Sequence, residues 1–135
     1  MIEVKNVKKS YGTKENSNQV LKGVSLTIKD GGFTVILGPS GSGKSTLLNV
    51  ISGLEYPDSG SICYDGNDIS RLTDDKLTAF RKDNVGFIFQ QYCLIPGLDV
   101  DKNVKMGADL VRNKEYRQSI AAVGLSDKLH KYPSE

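Results

Sequence analysis

One stretch of this sequence has the residue types and spacing to hold phosphate: Gly38-Pro39-Ser40-Gly41-Ser42-Gly43-Lys44-Ser45, followed directly by Thr46. Gly38, Gly43, Lys44 and Ser45 meet the spacing G-x-x-x-x-G-K-[ST]. A nucleoside triphosphate is bulky and highly charged, so a chain that binds it must wrap it with backbone N–H groups pointing inward. Glycine permits that curvature and places no Cβ in the way. A helix beginning near Lys44 aims the positive end of its dipole at the same oxygens. In such a loop the Lys44 ammonium reaches the β- and γ-phosphates and the Ser45 hydroxyl ligates Mg2+. Thr46 is placed to donate to an α-phosphate oxygen. The spacing therefore predicts ATP as ligand, with Mg2+ as its metal.

Such a loop needs a strand before it and a helix after it. Phe33-Thr34-Val35-Ile36-Leu37 is nearly continuous, β-branched and without a polar face, the pattern of a parallel strand buried on both sides. From Lys44 to Ser52 the period becomes helical, with Leu47, Leu48, Val50 and Ile51 expected on the packing side. Upstream, residues 2–7 and 20–28 alternate as half-buried strands, joined by a polar loop at 10–18, and Asp30-Gly31-Gly32 is a turn. Downstream, residues 61–64 predict a short strand closed by the tight turn Asp65-Gly66. Thr73-Asp74-Asp75 predicts a helix start running through Leu77 and Phe80. Val85-Gly86-Phe87-Ile88-Phe89 predicts another buried strand. Residues 102–130 are polar, with helical spacing at Ile120, Ala121 and Val123.

Bulk properties narrow the classes. A chain of 135 residues is the size of one domain. A net charge of +2 is too small to imply a nucleic-acid partner, and no block of like charges suggests a polybasic anchor. No apolar run approaches the ~18 residues that span a bilayer. Met1-Ile2-Glu3-Val4-Lys5 has neither the charge order nor the apolar stretch of a signal peptide. The expected location is cytoplasmic, with any membrane association made through a partner. Cys63 and Cys93 lie far apart and His130 is the single histidine, so two free thiols are expected and a zinc site is not.

The loop with Thr46 (GPSGSGKST), the segment Gly53-Leu54-Glu55-Tyr56-Pro57-Asp58-Ser59-Gly60, and Gly86-Phe87-Ile88-Phe89-Gln90 with Leu94-Ile95-Pro96 resemble the nucleotide-binding subunits of ABC transporters. Within that family the chain is most similar to the lipoprotein-release, macrolide-export and antimicrobial-peptide-export group, which carries the Asp68-Ile69-Ser70 type of turn. The resemblance runs from Ile2 to Glu135. It implies an α/β P-loop NTPase (ABC ATPase) fold: an antiparallel β subdomain, the phosphate-loop strand–helix unit and the start of the helical subdomain. The domain would be partial, with residues 1–89 as β subdomain and loop core and 90–135 as the glutamine loop and incomplete helical subdomain. It further implies that Tyr11 stacks on adenine, whose flat π-face suits an aromatic ring. Gln90 would be the glutamine that ligates Mg2+ or the attacking water and senses the γ-phosphate, making Lys44 and Gln90 the catalytic candidates. Tyr92, Cys93, Leu94, Ile95 and Pro96 would either touch a transmembrane permease subunit or pack the helical subdomain. A second ATP-binding subunit would join head to tail.

The resemblance also marks what the 135 residues do not contain. There is no Asp-Glu dipeptide for Mg2+ support and water activation, and no LSGGQ signature; the single Gly-Gly pair is Gly31-Gly32. His130 precedes the expected signature position, so it is not the family's switch histidine. Tyr132-Pro133-Ser134-Glu135 resembles the approach to that signature, implying that the chain stops just before it and is inactive in hydrolysis alone. One competing reading is a non-catalytic nucleotide-binding or interaction module. Another is a different phosphate-loop enzyme, such as a small-molecule kinase or a GTPase. Asn113-Lys114-Glu115-Tyr116 lacks the Asp of the guanine-reading Asn-Lys-x-Asp motif.

Overall fold

The computed structural model describes residues 1–13 and 15–135. The chain divides into two compact units, Met1–Val85 and Gly86–Glu135. In the first unit the elements run β1 (Ile2–Tyr11), β2 (Asn18–Ile28), α1 (Lys44–Ile51), β3 (Ser59–Tyr64), β4 (Asn67–Asp68) and α2 (Asp74–Asn84). The strands form one antiparallel sheet in the order β2-β1-β3-β4. The expected loop at 10–18 is shorter, because β1 reaches Tyr11 and β2 begins at Asn18; its Lys14 lies outside the described residues.

The sheet explains an irregularity in β1. Its apolar residues fall at 2, 4 and 7, so strict alternation fails after Val4. A bulge at Asn6, whose φ is 48°, absorbs the extra residue, and the register with both β2 and β3 shifts there. Val4 and Val7 consequently both reach the core, at 2% and 0% exposure. Gly60 on β3 packs against the bulge so closely that a Cβ would sit 2.5 Å from the Asn6 carbonyl oxygen. Between β3 and β4, Asp65 and Gly66 both have positive φ, the requirement of a two-residue hairpin turn.

Helix α1 lays Leu47, Val50 and Ile51 on the core formed with Val4, Val7, Leu21 and Ile62. Leu48, expected on that side, is exposed: it lies about 100° round the helix from Leu47, outside the i, i+3, i+4 stripe. Helix α2 carries Asp74 and Asp75 in its first turn and Arg81 and Lys82 in its last, complementing the helix dipole at both ends. It buries Leu77, and Arg81 Nη1 donates to the Gly53 carbonyl at 2.7 Å, fixing the chain just after α1.

Two expected strands are absent from the sheet. Residues 33–37 have no ladder partner among the described residues, and Phe33 and Leu37 are 94% and 86% exposed. Residues 85–89 likewise form no strand, and Ile88 is 97% exposed. Their apolar composition suits burial on two faces, but a strand exists only where a neighbouring strand takes its N–H and C=O groups. No described residue supplies that neighbour.

The second unit contains α3 (Val100–Leu110), α4 (Tyr116–Ala122) and a 3-10 turn at Ser126–Lys128. Asp99 caps α3 by accepting from the Lys102 N–H at 2.9 Å. Asp101 accepts from the Tyr116 hydroxyl and from Arg117 Nε, both at 3.0 Å, tying α3 to α4. Ile120 is buried, as its spacing predicts, whereas Val123 follows the end of α4 and is exposed.

Candidate nucleotide site

The glycine loop ends in a left-handed residue. Gly43 precedes α1 with φ 90°, and a Cβ there would lie 2.9 Å from Val20 Cγ1 and 3.3 Å from Leu21 Cδ2. Both the backbone angle and the contact with β2 require glycine at this position. Gly41, at φ 77°, provides the other left-handed step, and the Ser42 N–H donates to the Pro39 carbonyl at 3.2 Å to close the turn.

No side chain caps the start of α1. The N–H groups of Lys44, Ser45 and Thr46 thus lack intrahelical acceptors, and the positive end of the dipole faces out of the loop. The Lys44 ammonium folds over the same loop, donating to the carbonyls of Gly38 at 2.9 Å and Pro39 at 2.7 Å. Such an ammonium can exchange carbonyl acceptors for phosphate oxygens without leaving the loop, because all are held on one short, tight turn. Ser40 and Ser45 are exposed and Thr46 is half-buried. Behind the loop a cavity of about 290 Å³ is lined by Val20, Leu21 and Val24 of β2, by Ile36 and Leu37, and by the loop itself.

Tyr11 ends β1, and its 41% exposure leaves ring surface open. Its hydroxyl donates to Glu55 Oε2 at 2.6 Å, and Lys9 Nζ sits 5.5 Å from the ring centroid. The phenol is held above its ordinary pKa by partial burial first and by the Glu55 carboxylate second, with the Thr46 hydroxyl opposing. For Glu55, partial burial raises the pKa, but hydrogen bonds from Tyr11 and Asn49 and the charge of Lys9 outweigh it, so the net shift is downward. Glu55, Asn49 and Lys9 were not legible as site residues in the sequence. Glu55 stands in the recognised segment after Gly53, yet nothing in its type or spacing pointed to Tyr11.

Gln90 lies in the second unit, exposed, in an irregular stretch where Cys93 has φ 51°. The apolar residues after it are anchored by one side chain. Asn103 on α3 accepts from the Ile95 N–H at 2.8 Å and donates to the carbonyls of Ile95, Leu98 and Asp99. Leu94 and Ile95 remain exposed on that tether. Cys63 and Cys93 are both free thiols.

A glycine loop feeding a helix that opens Lys-Ser-Thr, set beside an antiparallel sheet, defines an α/β phosphate-loop nucleotide-binding protein. The family described as ABC transporter matches residues 21–135, and the chain belongs to that family. It is 38% identical, over its full length, to the bacitracin export ATP-binding protein BceA of Halalkalibacterium halodurans, of which it covers 56%. It is 37% identical to the macrolide export ATP-binding/permease protein MacB of Marinobacter nauticus, again over its full length, covering 22% of that protein. A dimeric, post-hydrolysis structure of the ATP-binding cassette MJ0796 bound to ADP and Pi superposes with a TM-score of 0.90 at 38% identity. That match covers 99% of this chain and 62% of the cassette. The chain thus spans only part of each relative: 30% of two from Mycoplasma and 22% of MacB. The fold is that of the N-terminal part of an ABC ATPase cassette.

Proposed function

We propose that residues 38–46 bind the triphosphate of MgATP and that the chain serves as the ATP-binding part of an export ATPase. The observation that carries this is the start of α1: three consecutive N–H groups without intrahelical acceptors, flanked by a lysine already folded over the loop carbonyls. Gly38, Pro39, Ser40, Gly41, Ser42 and Gly43 form the cradle, Lys44 neutralises phosphate charge, and Thr46 donates beside it. Tyr11 supplies the face for adenine.

The donor set suits Mg2+. That ion takes one or two protein oxygens and draws its remaining ligands from phosphate and water. Ser45 offers one exposed hydroxyl at the first turn of α1, which is the share the protein needs to give. A ligand role for Gln90, which belongs to the second unit, rests on the family resemblance alone. When bound, the metal would neutralise charge on the β- and γ-phosphates.

In the intact assembly the chain would sit on the cytoplasmic face of a membrane, held by a permease subunit through the exposed residues 92–96, and pair head to tail with a second ATP-binding subunit. No helix among the described residues is long and apolar enough to cross a membrane. The names of BceA and MacB favour export as the work being driven. Hydrolysis by these 135 residues alone is negligible in this account, because they offer no Asp-Glu pair to support metal and activate water.

The test is equilibrium titration with MgATP, paired with phosphate-release assays. Lys44→Ala is expected to weaken binding by roughly 10- to 100-fold, the worth of a charge-assisted contact of about 1.5–3 kcal/mol. Binding that Lys44→Ala leaves unchanged contradicts the loop assignment, and multiple-turnover phosphate release contradicts the assignment of inactivity.

A further inference from the structure

The adenine platform in this reading is one tyrosine at the end of a strand, and a ring there needs something to fix its tilt. The side chains around it provide a tether leading back to the phosphate loop. Tyr11 Oη donates to Glu55 Oε2 at 2.6 Å, while Asn49 Nδ2 donates to the other carboxylate oxygen, Oε1, at 2.9 Å. Asn49 belongs to α1, one turn beyond Ser45 and Thr46. Its carbonyl also accepts the backbone N–H groups of Leu54 and Glu55, at 2.8 and 3.2 Å, so Glu55 is bound to α1 by main chain and side chain together. Lys9 Nζ stands 3.9 Å from Glu55 Oε2 and donates to the Tyr56 carbonyl at 2.8 Å. The Glu55 side chain is 30% exposed, half-sheltered within this group.

We propose that Glu55 is a positioning residue for nucleotide base recognition: it bridges Tyr11 to Asn49 on α1 and so sets the aromatic ring at a fixed offset from the phosphate loop. The inference rests on the reading of Tyr11 as the adenine-facing ring. Its logic is geometric. Both oxygens of one carboxylate are used, one on the ring and one on the helix that carries Lys44. A hydroxyl-anchored ring loses less rotational freedom on binding a base than a free one, and preorganisation of this kind appears as affinity. The effect must be confined to ligands with a base, because the phosphate contacts do not pass through Glu55.

The experiment is isothermal titration of the 135-residue chain with MgATP and, separately, with magnesium tripolyphosphate, which presents the phosphates without the base. Glu55→Ala and Tyr11→Phe are each expected to weaken MgATP binding roughly three- to tenfold, the range that the net worth of a single hydrogen bond corresponds to. The double variant should be no weaker than either single one, since both cut the same tether. Tripolyphosphate binding should be unchanged in all three. Glu55→Gln, which keeps a carbonyl acceptor for Tyr11 and, once the Asn49 amide turns over, donates its own N–H to Asn49 Oδ1, should restore most of the loss.

Three results overturn the proposal. Equal losses for both ligands in Glu55→Ala would mean a general structural role. Additive losses in the double variant would mean that Glu55 and Tyr11 act separately. Unchanged MgATP binding in Glu55→Ala, with Tyr11→Ala weakening it, would remove Glu55 while leaving the ring's role intact. If Tyr11→Ala itself spares MgATP binding, the failure lies in the base-stacking reading on which the inference rests.

Discussion

Two sets of apolar segments in this molecule look alike in sequence and behave differently in structure. Strands β1 and β3 bury Val4, Val7 and Ile62 almost completely in a hydrogen-bonded sheet. The stretches at 33–37 and 85–89 are at least as apolar, yet Phe33, Leu37 and Ile88 stand in the open. The difference is the partner. Apolar composition says that a segment gains from leaving water; only an adjacent strand can satisfy the backbone polar groups that go with it. The sheet of the first unit is self-sufficient because β1 pairs antiparallel on both sides, with the adjacent β2 and with β3, which the chain brings back after α1. The stretch leading into the phosphate loop has no such neighbour among the described residues.

This contrast can be broken by mutation, most sharply in the laddered core. Ile62→Ala deletes a side chain that is 1% exposed and should cost about 2–5 kcal/mol in chemical denaturation. Gly60→Ala places a Cβ against the Asn6 carbonyl at a φ of 93° and should cost roughly 1–3 kcal/mol by the same measurement. If either proved neutral, the bulge and the packing around it would not be what holds the first unit. The double replacement Leu37→Ser with Ile88→Ser should change stability by less than about 0.5 kcal/mol, as at other exposed sites. The same variant should reduce self-association in sedimentation velocity, because each replacement removes exposed apolar surface, which favours association. A large loss of stability there would show that these stretches are packed after all.

The smallest effect is expected in the second unit, where polar ties between helices replace a ladder. Asp101 is held below the usual carboxylate range first by its hydrogen bond from Arg117; desolvation opposes this, and the Tyr116 hydrogen bond and the Arg117 charge add to the lowering. Its folded-state pKa is depressed, so its contribution is present above the ordinary Asp range and disappears as pH falls through the lowered value. Amide exchange of α4 should accordingly rise modestly as pH falls, once corrected for intrinsic exchange. Asp101→Asn should flatten that dependence, and an unchanged pH profile would remove the Asp101 tie from the account.

Much of the candidate site was legible in the sequence because it is local. Gly38, Gly43, Lys44 and Ser45 sit within eight consecutive residues, and each residue type has a physical reason that holds whatever surrounds it. The tight turn Asp65-Gly66 and the acidic start of α2 were legible for the same reason. The bulge at Asn6 was not: it is visible only when Val4 and Val7 are seen to share a core with β2 and β3. Glu55 was hidden likewise, being 44 residues from the tyrosine it holds. Residues 33–37 and 85–89 misled in the other direction, since an apolar run states a preference for burial and not the presence of a neighbour.

The central claim is that residues 38–46 cradle the phosphates of a nucleotide, and the most direct measurement reads those backbone N–H groups themselves. In a 1H–15N spectrum of the labelled chain, saturating MgATP should move the amides of Gly41, Gly43, Lys44, Ser45 and Thr46 the most, with magnesium tripolyphosphate moving the same five. Shifts concentrated elsewhere, or none at these amides under conditions where the nucleotide binds, would contradict the account.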